Sequence, residues 1–229
     1  NFVINQAAPV FSVDVVTVDA NENAIVKVKV NDTMSGTLNI TVYNKNYTAD
    51  IIEGIATFTI DKLPVNQYDV NVTYKGDNNY TYKSQIFENR VIVTKVTCYA
   101  INVTAIDVLV GVNTTITVHV PKDATGTVTV WVNGTGPLTN STIRDGVATF
   151  TLNKTISGRY EVNATLSNSK YADKTAYTNF WVSEHETPIT IDVNPIYVGD
   201  KAIIEVTVPS GVINNVTIEL EGKAYNKYL

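Results

Sequence analysis

The chain is short of the residue types on which most chemistry depends. Its 229 residues hold one Cys, one Met and two His. A single cysteine cannot close an internal disulfide. His119 and His185 lie 66 residues apart, and neither begins a zinc-gripping His-x-x-x-His pair. Charged residues make up only 17%, and 17 Lys+Arg against 22 Asp+Glu leave a net charge of −5. With no basic excess to neutralise phosphates, nucleic acid and anionic membrane surfaces are poor partners. Long apolar runs are missing too. The best, Val103 to Val112, is interrupted by Asp107 and Gly111, short of the roughly 18 residues a membrane span needs. No stretch carries a helical period of useful length.

Other residue types are abundant. Hydrophobic residues reach 44%, too many for a disordered chain. There are 25 Asn and 31 Thr. Thr, Val, Ile and Tyr favour pleated strands, while Asn and Gly mark turns. The length admits one large domain or two to three small ones.

The chain repeats itself. Gly54-Ile-Ala-Thr-Phe-Thr59 recurs as Gly146-Val-Ala-Thr-Phe-Thr151, and Tyr68-Asp-Val-Asn71 as Tyr160-Glu-Val-Asn163, both 92 residues on. Gly36-Thr-Leu-Asn-Ile-Thr41 matches Gly126-Thr-Val-Thr-Val-Trp131 at a spacing of 90. Val206-Thr-Val-Pro209 matches Val118-His-Val-Pro121, 88 apart. Anchors in one order at near-constant spacing mark a duplication. They divide the chain into units at 7–94 and 95–186 and an incomplete unit at 187–229. Residues 1–6 read as the end of a preceding repeat or a linker, because Phe2-Val-Ile4 resembles Phe180-Trp-Val182. The whole reads as a piece of a longer array whose last half unit is frayed or paired with a neighbour.

Within a unit the period is two. Val26, Val28 and Val30 alternate with lysines, Leu38, Ile40 and Val42 with Asn39 and Thr41, and Val70 and Val72 with Asn71 and Thr73. Each is a half-buried strand. The first unit predicts strands at 11–18, 24–30, 37–43, 47–51, 55–60, 67–74 and 85–93, separated by turn clusters. Seven short alternating strands in about 92 residues predict an all-β fold: tandem immunoglobulin-like β-sandwich domains in an elongated array.

Two segments carry a resemblance. Asn71-Val-Thr-Tyr-Lys-Gly-Asp-Asn-Asn-Tyr80, with Gly54-Ile-Ala-Thr-Phe58, resembles the bacterial Ig-like group 3 repeats of prokaryotic surface proteins. Val118-His-Val-Pro-Lys-Asp-Ala-Thr-Gly-Thr-Val-Thr129 resembles the adhesin-like surface proteins of methanogenic archaea. The second unit departs at Ser167-Asn-Ser-Lys-Tyr171, where Gly-Asp is replaced. The resemblance implies an extracellular stalk or adhesive array on the cell envelope, without catalytic residues.

Candidate sites are few. Asn-X-Thr sequons fall at Asn31, Asn39, Asn46, Asn71, Asn79, Asn102, Asn113, Asn133, Asn140, Asn153, Asn163 and Asn215. Composition alone would give about four, so the count points to a glycoprotein. Asn39, Asn71, Asn163 and Asn215 take the outward parity of their strands. Trp131 is the candidate ligand contact. Val130 and Val132 take the inward parity, and its counterparts Thr41 and Glu219 are polar, so its ring faces out, where it can meet a sugar or a partner. Tyr43, Tyr47, Tyr74, Tyr80, Tyr82 and Tyr177 are a second aromatic set. Asp19, Glu22, Asp77, Asp107, Glu184 and Glu186 are the oxygen donors on which a structural calcium would depend, but they lack Asp-x-Asp-x-Asp spacing and read as solvated turn residues. His119 reads as exposed, and Cys98 as a small buried or half-buried thiol in the first strand of its unit. Ser167-x-x-Lys170 has the spacing of a nucleophile motif that needs a helix, and this segment is a turn. Lys27 and Lys29 point outward, away from the core position that a self-made isopeptide bond requires. The expectation is therefore no enzyme, no cofactor and no metal. The chain reads as an extracellular cell-surface adhesin-like protein whose repeats form a stalk and mediate adhesion. Its partner would be a cell-surface glycan or a protein receptor, with no nucleic acid and no membrane insertion. The alternative is a carbohydrate-binding module of a secreted polysaccharide-active protein.

Overall fold

Alternating β-branched and polar side chains give each segment one apolar face, and two such faces must be pressed together to leave water. The computed structural model describes residues 5–140, 142–211 and 214–229, and all their regular elements are strands. The first eight are β1 (Ser12–Val13), β2 (Val16–Asp19), β3 (Ala24–Lys29), β4 (Thr37–Val42), β5 (Lys45–Asp50), β6 (Ile55–Ile60), β7 (Asn66–Tyr74) and β8 (Lys83–Thr94). They form a three-stranded sheet, β1-β3-β6, facing a five-stranded one, β2-β8-β7-β4-β5. The next eight repeat the plan: β9 (Asn102–Ala105), β10 (Val108–Leu109), β11 (Asn113–His119), β12 (Thr127–Val132), β13 (Thr135–Asn140), β14 (Val147–Asn153), β15 (Gly158–Ser167) and β16 (Lys174–Ser183). Their sheets are β9-β11-β14 and β10-β16-β15-β12-β13, the same topology strand for strand. These are tandem immunoglobulin-like β-sandwiches.

The interior follows the predicted parity. Val26, Val28, Leu38, Val70 and Val72 are fully buried in the first sandwich, as are Ile116, Val118, Val128, Val130 and Phe180 in the second. Burying each such side chain is worth about 1.5–3 kcal/mol. Tyr68 donates its hydroxyl to the Pro64 carbonyl at 2.7 Å, and Tyr160 donates to the Ile156 carbonyl at 2.9 Å. Each bond reaches four residues back and pins the loop that crosses between sheets, as a tyrosine corner does.

The predicted strand 11–18 is two strands. β1 pairs antiparallel with β3, Val13 opposite Val28. The chain then crosses to the other sheet, where β2 pairs parallel with β8, Val16 opposite Val91. The inward residues change from odd (Phe11, Val13) to even (Val16, Val18) at Asp14-Val15, because a segment that changes sheets must reverse the face it presents. β9 and β10 make the same crossing at Ile106-Asp107. The fifth strand begins at Lys45 rather than 47. Tyr43 and Asn44 both take positive φ (46° and 59°), and this tight two-residue turn sets Val42 opposite Lys45.

The repeated Gly54 and Gly146 each end a hairpin turn, at φ 73° and 77°, after Glu53 and Asp145 at φ 49°. They differ in clearance. A Cβ on Gly146 would stand 2.5 Å from the Val120 carbonyl oxygen, whereas one on Gly54 would meet first the Asp32 carboxylate at 3.1 Å.

The third segment has β17 (Thr190–Val193), β18 (Ile204–Thr207), β19 (Asn215–Leu220) and β20 (Lys223–Tyr228), paired β17-β18 and β19-β20. Among the described residues these pairs close no sandwich. Ile191, Val193, Ile203 and Tyr228 are all more than half exposed. The segment Phe2-Val-Ile4 lies outside the described residues.

Candidate functional site: the outer face of the second sandwich

Strand parity builds this face. On β12, Val128, Val130 and Val132 turn inward and leave Thr127, Thr129 and Trp131 outside. On β15, Val162, Ala164 and Leu166 are buried, so Glu161, Asn163 and Thr165 take the outer side. On β16, Phe180 and Val182 are buried, which leaves Tyr177, Asn179 and Trp181 outside. The register aligns these residues in rows. Trp131 stands opposite Asn163, and Asn163 opposite Tyr177. Glu161 faces Asn179, and Arg159 faces Trp181. Trp131 is 49% exposed, Trp181 52% and Tyr177 76%. Two strand spacings put Trp131 and Tyr177 about 10 Å apart. Polar groups fill the remainder. Arg159 and Glu161 form a 3.1 Å ion pair, Thr165 and Thr175 share a hydroxyl hydrogen bond of 2.8 Å, and Asn133 Oδ1 accepts from the Glu161 amide at 2.8 Å. Rings beside hydrogen-bonding groups on a sheet face suit a ligand with both C–H and hydroxyl faces.

In the first sandwich the same row reads Thr41, Asn71, Ile86, and Gln67 stands opposite Ile92. Of the two sandwiches, only the second carries this aromatic lining among the described residues. Trp181 went unnoticed in the sequence, although the inward parity of Phe180 and Val182 assigns it to the outer face.

The second aromatic set disperses. Tyr74 and Tyr80 are buried, at the inward end of β7 and over the sandwich rim. The Tyr74 hydroxyl donates to Asp77 Oδ2 at 2.8 Å, and the Tyr80 hydroxyl lies 2.5 Å from that of Thr33. Burial, followed by the Asp77 hydrogen bond, pushes the Tyr74 hydroxyl up to about 12. Tyr47 is half-buried, while Tyr43 and Tyr82 are exposed at separate turns.

The turn after β7 shows how the second repeat replaces Gly-Asp. Asp77 Oδ1 accepts the Asn79 and Tyr80 amides at 2.8 and 2.7 Å. The Tyr74 hydroxyl and these two amides hold the Asp77 carboxyl below the usual carboxylate range. In the second sandwich Asn168 takes that position, and its Oδ1 accepts the Lys170 and Tyr171 amides at 2.6 and 3.1 Å. Tyr171 then anchors on Asp123 at 2.5 Å, and Lys170 pairs with the same carboxylate at 2.5 Å. Ser167 ends a strand beside this turn, far from helical geometry.

The other candidates are held locally. Asp19 accepts from Thr94, Asp107 from the Trp181 amide, and Glu184 from Ser157. Among the described residues, no three His, Cys, Asp or Glu side chains gather as a metal site requires. His119 and His185 are exposed. Cys98 is exposed, not buried, and precedes β9 rather than lying in it. Val96 makes the inward contact of this segment, bridged to Tyr171, and Tyr99 covers that ring, so no inward position remains for the thiol. Lys29 pairs with exposed Asp14 at 3.2 Å. A shallow recess lined by Ala20, Leu63 and Pro64 of one sandwich and Thr125, Ser169 and Lys170 of the other has no His, Cys or carboxylate in its wall.

The sequon asparagines differ in how they are held. Asn46, Asn79, Asn102, Asn113, Asn133, Asn153 and Asn215 are exposed, and Asn31, Asn39, Asn71 and Asn163 half-buried. The side chain of Asn140 lies outside the described residues.

No protein-family model and no curated protein matches the chain. Among solved structures it is similar to fibronectin(III)-like modules of Clostridium thermocellum CbhA, at 13% identity and a TM-score of 0.34, covering 77% of this chain and 94% of that one. It is similar to a titin structure at 14% identity and a TM-score of 0.37, covering 77% of this chain and 100% of that one. A marsupial T cell receptor follows at 10% identity and a TM-score of 0.35, covering 97% and 99%. At these values the likenesses say nothing about what the chain binds or does.

Proposed function

We propose that this chain is part of an extracellular, cell-surface adhesin-like array, a non-catalytic stalk of closed sandwiches that presents binding surfaces to a glycan or protein receptor. The observation that carries this reading is the junction between the repeats. β8 ends at Thr94, and the next unit is already paired at Val96, whose amide donates to Lys170 and whose carbonyl accepts from Ala172. Lys95 alone connects them. A one-residue connection leaves two self-contained cores little freedom to swing, which suits a stiff spacer. Outward Thr and Asn keep the sheet faces hydrated. An antibody to the second sandwich should label intact cells of the source organism as strongly as lysed ones. Labelling only after lysis would sink the proposal.

A second reading, a carbohydrate-binding module of a secreted polysaccharide-active protein, is favoured by Trp131, Tyr177 and Trp181 on one face. It requires unmodified protein to bind glycans on an array and Trp131→Ala to abolish that binding.

A further inference from the structure

Asn163 stands between Trp131 and Tyr177 in one row, on the central strand of the three. Buried Val162 and Ala164 on either side hold it outward, and it opens the sequon Asn163-Ala-Thr165. Several other sequon asparagines are tied down. Asn39 accepts from Thr48, Asn46 from Thr41 and Asn71 from Ser84. Asn153 spends its Nδ2 on the Gly111 carbonyl at 2.6 Å and on Asn113 Oδ1 at 3.0 Å. Asn163 has no such tie among the described residues. Among the described residues it is the one sequon asparagine with an exposed aromatic ring on each neighbouring strand. We propose that Asn163 is a glycosylated residue whose first sugar lies in the slot between Trp131 and Tyr177, with its C–H faces against the two rings.

This rests on the extracellular reading above, since the sugar must come from an envelope-directed pathway. In the step, Asn163 Nδ2 forms a bond to C1 of a sugar activated as a phosphate ester. The C1–O bond breaks, the phosphate leaves with the electron pair, and an Nδ2 proton passes to a base of the transferring enzyme. The occupant follows from geometry. A pyranose on Asn163 begins one strand spacing from either ring, about 5 Å. It is tethered there, so it escapes the loss of translational freedom that a free glycan suffers on binding. The two rings, otherwise bare apolar surface, gain a cover. In the first sandwich Asn71 is flanked by Thr41 and Ile86, and its sugar would stay free in water. Asn153 stays bare in the folded protein, because a sugar on Nδ2 would take the place of at least one of its two donated hydrogens and break that bond.

The test expresses the whole chain in a host that glycosylates Asn-X-Thr, in a Trp181→Phe background so that Trp131 is the only indole. Peptide mass spectrometry should find Asn163 occupied and Asn153 bare. Acrylamide quenching of Trp131 should rise about two-fold when the glycan is removed enzymatically. The melting temperature of the second sandwich should fall by about 4 °C on removal, and this shift should vanish in Trp131→Ala/Tyr177→Ala. A bare Asn163 beside occupied sequons overturns the proposal. So does an occupied Asn163 whose removal changes neither quenching nor melting. Occupied Asn163 with a shielded Trp131, but no labelling of intact cells, would remove the array reading and leave this one standing.

Discussion

Where the first sandwich sets Thr41, Asn71 and Ile86 across its outer face, the second sets Trp131, Asn163 and Tyr177 on the corresponding strands. Beneath those rows Ile40 and Val72 give way to Val130 and Ala164, all buried. Interior changes are mostly of apolar volume, because every inward side chain has a neighbour to fit, and where Ala24 gives way to buried Thr114 the hydroxyl is satisfied by the Ile106 carbonyl. The exterior has no such restraint, so repeats with one core can carry different surfaces. The turns teach the same lesson. Asp77 and Asn168 accept the same two backbone amides, one as a carboxylate and the other as a neutral amide. Geometry is kept, and the charge appears instead at Asp123.

The strongest way to break the comparison is to empty one core. Phe180 is fully buried, and Phe180→Ala should cost about 3–5 kcal/mol. Calorimetry should show the transition of the second sandwich falling while that of the first stays put. A single transition moving as a whole would show that the repeats do not melt separately.

A smaller effect separates the two hairpin glycines. Gly146→Ala drives a methyl against the Val120 carbonyl at a positive φ, and should cost about 2–3 kcal/mol in chemical denaturation. Gly54→Ala meets a side chain that can turn aside, and should cost about 1 kcal/mol. Equal losses would remove the distinction.

Below that come the tyrosine corners. Tyr68→Phe should cost about 1–1.5 kcal/mol, because its partner bond is part-buried, and Tyr160→Phe about half as much, because its bond is exposed. The reverse order in denaturant midpoints would contradict this reading of burial.

The smallest effect is a pH dependence. The carboxyl of Asp77 titrates lower in the folded chain than in the unfolded one. Its contribution is present above the ordinary carboxylate range and is lost as pH falls through the folded value. Asp77→Asn should flatten the acid arm of the first sandwich and leave that of the second, where Asp123 is lowered by Lys170 and Tyr171. At the other end Tyr74 keeps its proton up to about 12, so stability should decline between its ordinary 10.0 and that value. Melting curves across pH check both arms.

The cores were legible because period two and burial share one cause. Val26, Val28, Leu38 and Ile40 could be assigned to the inside from alternation alone, and the repeat carried the assignment to the second unit. The crossing at Asp14-Val15 was also written in the parity of Val13 and Val16, but it requires two sheets to be considered together rather than one strand at a time. Trp131 was visible through its polar counterparts. The row that joins it to Asn163 and Tyr177 was not, because register between strands more than thirty residues apart depends on turns and bulges along the whole unit. Cys98 was misplaced for a similar reason. The residue that turns inward there, Val96, is fixed by pairing with Tyr171, 75 residues on.

In each sandwich the second strand lies beside the last and runs in the same direction, β2 beside β8 and β10 beside β16. A pull on the two chain ends would therefore load those ladders in shear, so their bonds must fail together rather than unzip one at a time. The first sandwich matches four residues across this clamp, from Val16–Val91 to Asp19–Thr94, and the second only two. The strand ahead of the clamp reverses that count, two residues for β1 on β3 and four for β9 on β11, so under tension the first repeat bears the load mainly on its parallel clamp and the second mainly on the antiparallel pair before it.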